Sequence, residues 1–156
     1  MEVATKLRRR EGVYYSALVP NLRGLDSASR AGMNEVAIFM AASATHNRKN
    51  INKTTAQAFE TYAEVCREAL DRGMRVRGYV SCVFGCPMEG DVPEADVFGW
   101  VQRFVDVGVR GITLCDTTGM AYPTQVHQLT AAARARWPPA RSGGRRCCDV
   151  GRGCSS

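Results

Sequence analysis

Short β-type runs alternate with helical patterns along most of this chain, and the alternation limits the fold more than any other feature. Four segments, at 14–21, 35–43, 75–82 and 109–116, have the composition of β-strands. The second, Glu-Val-Ala-Ile-Phe-Met-Ala-Ala-Ser, is almost continuously apolar, which is typical of a parallel strand covered on both faces. The sequence therefore predicts a parallel sheet flanked by helices.

Helical patterns fill the intervals between these runs. Two of them occupy 94–107 and 123–137. A third begins at a cap on Thr54 or Thr55, and a shorter, weaker one lies at 22–31. A glycine stands where a helix should stop before the next strand, and glycine readily adopts the left-handed conformation that ends helices. These glycines are Gly32, Gly73 and Gly108. The chain thus reads as four consecutive βα units.

Repeated βα units give a right-handed parallel arrangement, which closes into a barrel or stays open as a doubly wound sheet. A dinucleotide-binding sheet would carry G-x-G-x-x-G after its first strand, and residues 20–24 do not supply it. Four units are half of a (β/α)8 barrel, which has about 250 residues. We therefore expect an α/β fold of the partial TIM-barrel type.

Composition changes abruptly near the end of the barrel-like region. The last sixteen residues hold four arginines against one acid, a charge of +3 out of the chain's +6, and three of its seven cysteines. We therefore expect a lead-in at 1–12, a partial barrel domain at 13–139 and a non-native-looking, disordered tail at 140–156. A frameshift near Arg141 would explain the change.

The rest of the composition excludes several classes of protein. No apolar run reaches the ~20 residues that a membrane-spanning helix needs. A nucleic-acid-binding protein would need a basic face with groove-reading residues, and the sequence shows none. The cysteine usage suits reduced, intracellular thiols better than a disulfide framework. We therefore expect a cytoplasmic protein, or an organelle protein if the true N-terminus is missing.

The ends of the predicted strands hold the candidate functional residues, since barrel enzymes place their chemistry there. These ends read Pro20-Asn21, Ala42-Ser43, Ser81-Cys82 and Asp116-Thr117. Cys82 and Cys86 form C-x3-C, but a zinc site needs further ligands, and neither His46 nor His127 has a suitable spacing. Packing, loop or redox roles stay open for the two cysteines. Asp116 is either catalytic or a cap on the turn that follows it.

Several motifs resemble those of one enzyme family. Residues 77–90 read R-G-Y-V-S-C-V-F-G-C-P-M-E-G, which resembles the R-G-Y-V-S-C-x-x-G-C-P-Y-E-G stretch of 3-hydroxy-3-methylglutaryl-CoA lyases. The same order and spacing hold for L-V-P-N with a following Gly24, for A-A-S with a K-N-I-N loop, and for L-C-D-T-T-G. The resemblance covers about residues 13–137.

The resemblance implies a barrel lyase that splits 3-hydroxy-3-methylglutaryl-CoA into acetyl-CoA and acetoacetate with Mg²⁺ or Mn²⁺ as Lewis acid. Asp116 matches an acidic residue near the reacting hydroxyl, and would act as general base or proton relay. Tyr79, Thr113 and Thr117 match substrate-binding positions. The remaining matches lie at strand ends or in the loops after them, and are Asn21, Ser43, Ser81, Cys82 and Cys86.

The chain also departs from the family pattern. Met88 replaces an aromatic residue, and Cys115 stands where many relatives have glycine. The family's metal ligands, an Asp in R-D-G-x-Q, an H-x-H pair and a later Asn, have no counterpart in the sequence, nor has the cysteine of its glycine-rich loop. The resemblance therefore implies a chain that alone neither binds the metal usefully nor turns over.

The resemblance also implies binding partners, and two alternative functions stay open. The family implies an acyl-CoA substrate, and open barrel edges imply a homo-oligomer or pairing with another chain. One alternative is a non-catalytic half-barrel that docks onto a complete lyase. Another is a related oxo-acid aldolase or acyl transferase, although the stretch at 81–90 argues against it.

Overall fold

Parallel strands that lie side by side in chain order form the sheet of this protein. The structure, a computed structural model, describes residues 2–138 and 148–151. Its strands are β1 Ser16–Leu18, β2 Glu35–Ala41, β3 Arg75–Ser81, β4 Gly111–Cys115 and β5 Cys148–Gly151. Its helices are α1 Glu2–Thr5, α2 Leu22–Arg30, α3 Ala44–Ile51, α4 Thr55–Asp71, α5 Glu94–Asp106 and α6 Pro123–Arg136.

The strand order decides between the two arrangements that the sequence left open. The order is β1-β2-β3-β4-β5, and all four pairings are parallel. A doubly wound sheet reverses its strand order at a switch point, whereas a barrel adds each strand beside the previous one. The predicted α/β fold of consecutive βα units is confirmed, and its order is that of part of a barrel.

Most predicted elements lie within one or two residues of their expected positions, with two exceptions. The first strand, expected over 14–21, has only three residues in β1, although Val19 N–H still donates to the Ala37 carbonyl at 2.9 Å. The K-N-I-N segment, taken as a loop, lies at the end of α3 and in the residue after it. Ser43 caps the start of this helix and Asn52, in the left-handed conformation, caps its end.

Helix α4 begins at a reciprocal cap. The Thr54 hydroxyl accepts from Gln57 N–H at 3.1 Å, and the Gln57 side chain accepts from Thr54 N–H at 3.0 Å. This capping box satisfies two backbone donors that a helix start leaves without partners. It confirms the start that the sequence predicted.

The helix-facing side of β3 packs against α5 through a glycine. A Cβ built on Gly78 would lie 3.7 Å from the Phe104 ring and 3.5 Å from Val109, so the ring lies close to the strand. Phe104 is fully buried, and its ring centroid is 5.6 Å from that of Phe59 on α4. These contacts join α4, α5 and the sheet into one apolar core.

Strand β5 lies in the segment for which the sequence predicts a tail. Its backbone pairs in parallel with β4, with Thr113 opposite Asp149 and Cys115 opposite Gly151. The other residues of 140–156 lie outside the described part of the chain, so the disordered tail stays a prediction. Within residues 2–138, no helix is long and apolar enough to cross a membrane.

Candidate functional site

The carboxyl-terminal ends of β2, β3 and β4 are tied together through the loop that follows β3. Ser43, after β2, donates from its hydroxyl to Cys86 Sγ at 3.1 Å. From the other side, Cys82 N–H donates to Thr117 Oγ1 at 3.1 Å, and the Thr118 hydroxyl donates to the Gly85 carbonyl at 3.4 Å. The predicted strand-end residues of these three strands therefore meet at one edge of the sheet.

The loop turns sharply as it leaves β3. Cys82 has φ of +55°, a left-handed conformation that costs a non-glycine residue roughly 1 kcal/mol or more. Gly85 has φ of +146°, which side-chain-bearing residues rarely adopt. The hydrogen bonds to Thr117 and Thr118 hold this geometry, and both Cys82 and Cys86 are turned into the interior.

The far end of the loop closes on itself and on α3. Cys86 and Gly90 exchange two backbone hydrogen bonds of 2.8 and 2.7 Å. Glu89 accepts from Thr45 N–H at 2.5 Å, in the first turn of α3. Hydrogen bonds from the Thr45 side chain and backbone lower the pKa of the Glu89 carboxyl. The carboxylate therefore fastens the loop to the start of α3, where a negative charge is favourable.

The two cysteine thiols of this loop differ in their acidity. Burial raises the pKa of the Cys82 thiol from 9.0 to about 11, and the nearby Cys86 adds to the rise. Burial also acts to raise the pKa of Cys86, but hydrogen bonds from Ser43 and from the Met88 and Glu89 backbone outweigh it, so this pKa is lowered. Cys86 is therefore the more acidic thiol of the pair.

Asp116 organises the turn after β4. Its Oδ1 accepts from Met120 N–H at 3.1 Å, and its Oδ2 accepts from Ala121 N–H at 3.3 Å. The cap that the sequence suggested for this residue is thus present. A carboxylate has about four acceptor positions, so two remain for another donor. A catalytic role for Asp116 stays a prediction.

Tyr79 and Thr113 lie opposite each other on adjacent strands. Residues 75, 77, 79 and 81 of β3 alternate with the helix-facing positions, so Tyr79 points away from α5. Thr113 is buried and Tyr79 half-buried. The two predicted substrate-binding residues therefore share one face of the sheet. The third, Thr117, is exposed and bonded to the Cys82 backbone.

Two of the predicted strand-end residues have other local roles. The Asn21 side chain accepts from Gly24 N–H at 2.9 Å and caps α2. The Ser81 carbonyl accepts from Ala42 N–H at 2.9 Å, which continues the pairing of β2 and β3. Both interactions are structural.

Two further residues beside the loop were not predicted as site residues from the sequence. Asn47 joins β2 to the end of α3, since its side chain accepts from Ala41 N–H at 3.1 Å and donates to the Lys53 carbonyl at 2.9 Å. Gln125, on α6, donates to the Phe84 carbonyl at 3.1 Å. The only available signal for Asn47 was its position within a short polar stretch. Gln125 had none, because α6 is only weakly amphipathic.

The described residues at this edge form no group of three potential cation ligands. Mg²⁺ and Mn²⁺ take several oxygen ligands around one point. Within residues 2–138 and 148–151, no three His, Cys, Asp or Glu side chains come together in that way. The strand-end carboxylate of Asp116 accepts two hydrogen bonds from its own turn and keeps two further acceptor positions.

The raised pKa of Cys82 predicts a loss of stability at high pH. The folded state keeps this proton to higher pH than the unfolded chain, so the stability from Cys82 is fully present below pH 9 and lost between about pH 9 and 11. We expect the free energy of unfolding to fall by about 1–3 kcal/mol over this interval from Cys82. In Cys82→Ala the fall should be smaller by this amount, as measured by urea unfolding at several pH values.

Ser81→Ala is the matched control, because Ser81 is the neighbouring residue and does not titrate. This variant should keep the fall seen in the parent chain. If the free energy of unfolding fell equally with pH in Cys82→Ala and the parent, the loss of stability could not be assigned to the Cys82 thiol.

Comparisons with known proteins give the family of this chain. Residues 2–142 match the model of the HMGL-like family. Over 138 residues the chain is 44% identical to hydroxymethylglutaryl-CoA lyase of Bacillus subtilis, covering 88% of this chain and 46% of that protein. It is 42% identical over 143 residues to the lyase of Pseudomonas mevalonii, covering 92% and 48%.

Solved structures give the same result. The crystal structure of the Bacillus subtilis HMG-CoA lyase matches with a TM-score of 0.86 over 88% of this chain and 46% of that one. A structure of an HMG-CoA lyase from Acinetobacter baumannii, in complex with coenzyme A and 3-methylmalate, matches with a TM-score of 0.82 at 37% identity, over 86% and 44%. The chain thus spans just under half the length of these relatives. On sequence and structure alike, it belongs to the HMGL-like family.

Proposed function

We propose that this chain carries the acyl-binding and proton-relay part of an active site that cleaves 3-hydroxy-3-methylglutaryl-CoA into acetyl-CoA and acetoacetate. The loop over 82–90 supports the proposal most strongly. It carries the family's cysteine-rich motif and is bonded to the strand ends on both sides, through Ser43 and Thr117. A loop fixed at both ends can hold a substrate in one orientation.

In this proposal Asp116 takes the proton of the tertiary hydroxyl. The O–H electrons form the ketone of acetoacetate, the adjacent C–C bond breaks, and its electrons pass to the enolate of acetyl-CoA, which then takes up a proton. The free acceptor positions of Asp116 support this role, since a general base must lie within hydrogen-bond reach of the proton it removes. The turn bonds to Met120 and Ala121 would keep the carboxylate in place.

Tyr79 and Thr113 contact the acyl group in this proposal, and Thr117 lines the site beside the Cys82 loop. Their shared face of the sheet supports this assignment, because the two hydroxyl groups lie on adjacent strands. The structural neighbour in complex with coenzyme A supports acyl-CoA as the substrate class. The proposal assigns no residue of this chain to the family's Mg²⁺ or Mn²⁺.

The proposed compartment is the cytoplasm. A relative from Danio rerio, 40% identical over 114 residues, is named as cytoplasmic, whereas relatives from Homo sapiens and Gallus gallus are named as mitochondrial. Self-association through a sheet edge also stays part of the proposal. It is supported by β1, which pairs only with β2 among the described residues and leaves Leu18 60% exposed.

A chimeric barrel tests the proposed function. Residues 13–137 of this chain would replace the matching segment of the Bacillus subtilis lyase, to which the chain is 44% identical. We expect the chimera to release acetoacetate from 3-hydroxy-3-methylglutaryl-CoA in the presence of Mg²⁺, because the replaced segment supplies equivalent groups. The assay measures kcat and KM for acetoacetate release, with the unmodified lyase as the reference.

Folding must be measured on the same samples. A chimera with the circular dichroism and unfolding midpoint of a folded barrel, but without activity, would contradict the proposal. It would show that this segment keeps the family fold without its chemistry.

A further inference from the structure

A cavity lies at the opposite end of the strands from the Cys82 loop. Its volume is about 460 Å³, and it opens at the amino-terminal ends of β3 and β4. Arg75, Arg77 and Arg110 line it together with one carboxylate, Glu35. None of these four residues belongs to the proposed acyl site.

The charges in this cavity do not balance. Glu35 is buried and is shared by two arginines, with Arg75 Nε at 3.6 Å and Arg77 Nε at 3.5 Å from its carboxylate oxygens. Arg110 also lines the cavity and adds a third positive charge, so three arginines and one carboxylate contribute to its wall. This leaves a formal excess of two positive charges on the wall of one cavity.

The floor of the cavity is open beside one of these arginines. Gly111 on β4 is the register partner of Arg77 on β3. A Cβ built on Gly111 would meet no atom within 4 Å, so no side chain fills the space above it. An anion in this space would lie next to the Arg77 side chain and within reach of the other cationic side chains.

We propose that this cavity binds a multivalent oxyanion of the phosphate class. Guanidinium groups present planar pairs of N–H donors that match phosphate oxygens, and they stay charged at every physiological pH. Two excess positive charges complement a phosphate dianion. The arginines and Glu35 of this cavity have no role in the proposed lyase function, although Thr113 lines the cavity as well as the proposed acyl site.

Calorimetric titration of the full chain with inorganic phosphate, at constant ionic strength, tests the site. We expect saturable binding, with sulfate competing and chloride not. Arg110→Gln should weaken phosphate binding about tenfold, because one charge-assisted contact is lost while the Glu35 ion pairs remain. Gly111→Glu should abolish binding, since the new carboxylate would occupy the open space beside Arg77.

Arg67→Gln is the matched control, because Arg67 is an exposed arginine on α4 outside the cavity. Binding in this variant should equal that of the parent chain. Equal affinity in the parent, Arg110→Gln and Gly111→Glu would overturn the proposal, as would the absence of saturable binding. Titration with adenosine 3′,5′-bisphosphate then distinguishes an organic phosphate from the free phosphate ion as the ligand. Tighter binding than that of inorganic phosphate identifies an organic phosphate, and equal binding identifies the free ion.

Discussion

Replacement of Asp116 by Asn in the chimeric barrel should lower kcat for acetoacetate release by about two to four orders of magnitude, with a smaller effect on KM. An amide cannot take up the hydroxyl proton, and general-base catalysis contributes about 10²–10⁴ in rate. The Asn oxygen can still accept from Met120 N–H, so the turn keeps one of its two carboxylate bonds. The measurement is steady-state kinetics at saturating Mg²⁺.

Glu64→Gln in the same chimera is the control, because Glu64 is an exposed carboxylate on α4, remote from the strand ends. Its kcat should equal that of the parent chimera. If Asp116→Asn kept kcat within about twofold, Asp116 would be a turn cap and not a proton relay.

Truncation of Phe104 to Ala should destabilise the chain by about 3–5 kcal/mol, the cost typical of removing a buried phenyl ring. Phe104 is fully buried, lies over Gly78 of β3 and contacts the Phe59 ring of α4. No neighbouring side chain fills its volume easily, because the strand at this point carries a glycine. Urea unfolding followed by circular dichroism gives the difference in free energy.

Val105→Ala provides the comparison on the same helix, because Val105 is only partly buried. We expect it to cost less than about 1.5 kcal/mol. Equal losses for the two variants would show that the core is not centred on the junction of α4, α5 and β3. With a typical stability of 5–15 kcal/mol for a domain, the Phe104 variant should also unfold well before the parent on heating.

The sequence predicted the sheet well because its signals are local. The β3 run was expected over 75–82 and lies at Arg75–Ser81, since a short run with valine and tyrosine between a glycine and a polar end predicts a strand without reference to the rest of the chain. Helix α3 was missed because Ala-Thr-His-Asn-Arg-Lys-Asn-Ile carries almost no apolar face. It begins at the Ser43 cap and is held to β2 by Asn47.

The geometry of the site could not be predicted in the same way, because its bonds join distant segments. Ser43 and Cys86 are 43 positions apart, and Glu89 and Thr45 are 44 apart. Nothing in the local pattern of either segment indicates the other. The register of Gly111 against Arg77 is likewise a property of the folded sheet, so the arginine-lined cavity was not predicted from the sequence.

The most direct test of this account is an acetoacetate assay on the purified 156-residue chain alone, with 3-hydroxy-3-methylglutaryl-CoA and Mg²⁺ or Mn²⁺. The proposed function places the acyl-binding and proton-relay groups on the described residues and assigns none of them to the cation. It therefore predicts no release above a boiled control with either metal. Metal-dependent release that Asp116→Asn abolishes would contradict it, because the chain would then hold a complete catalytic site.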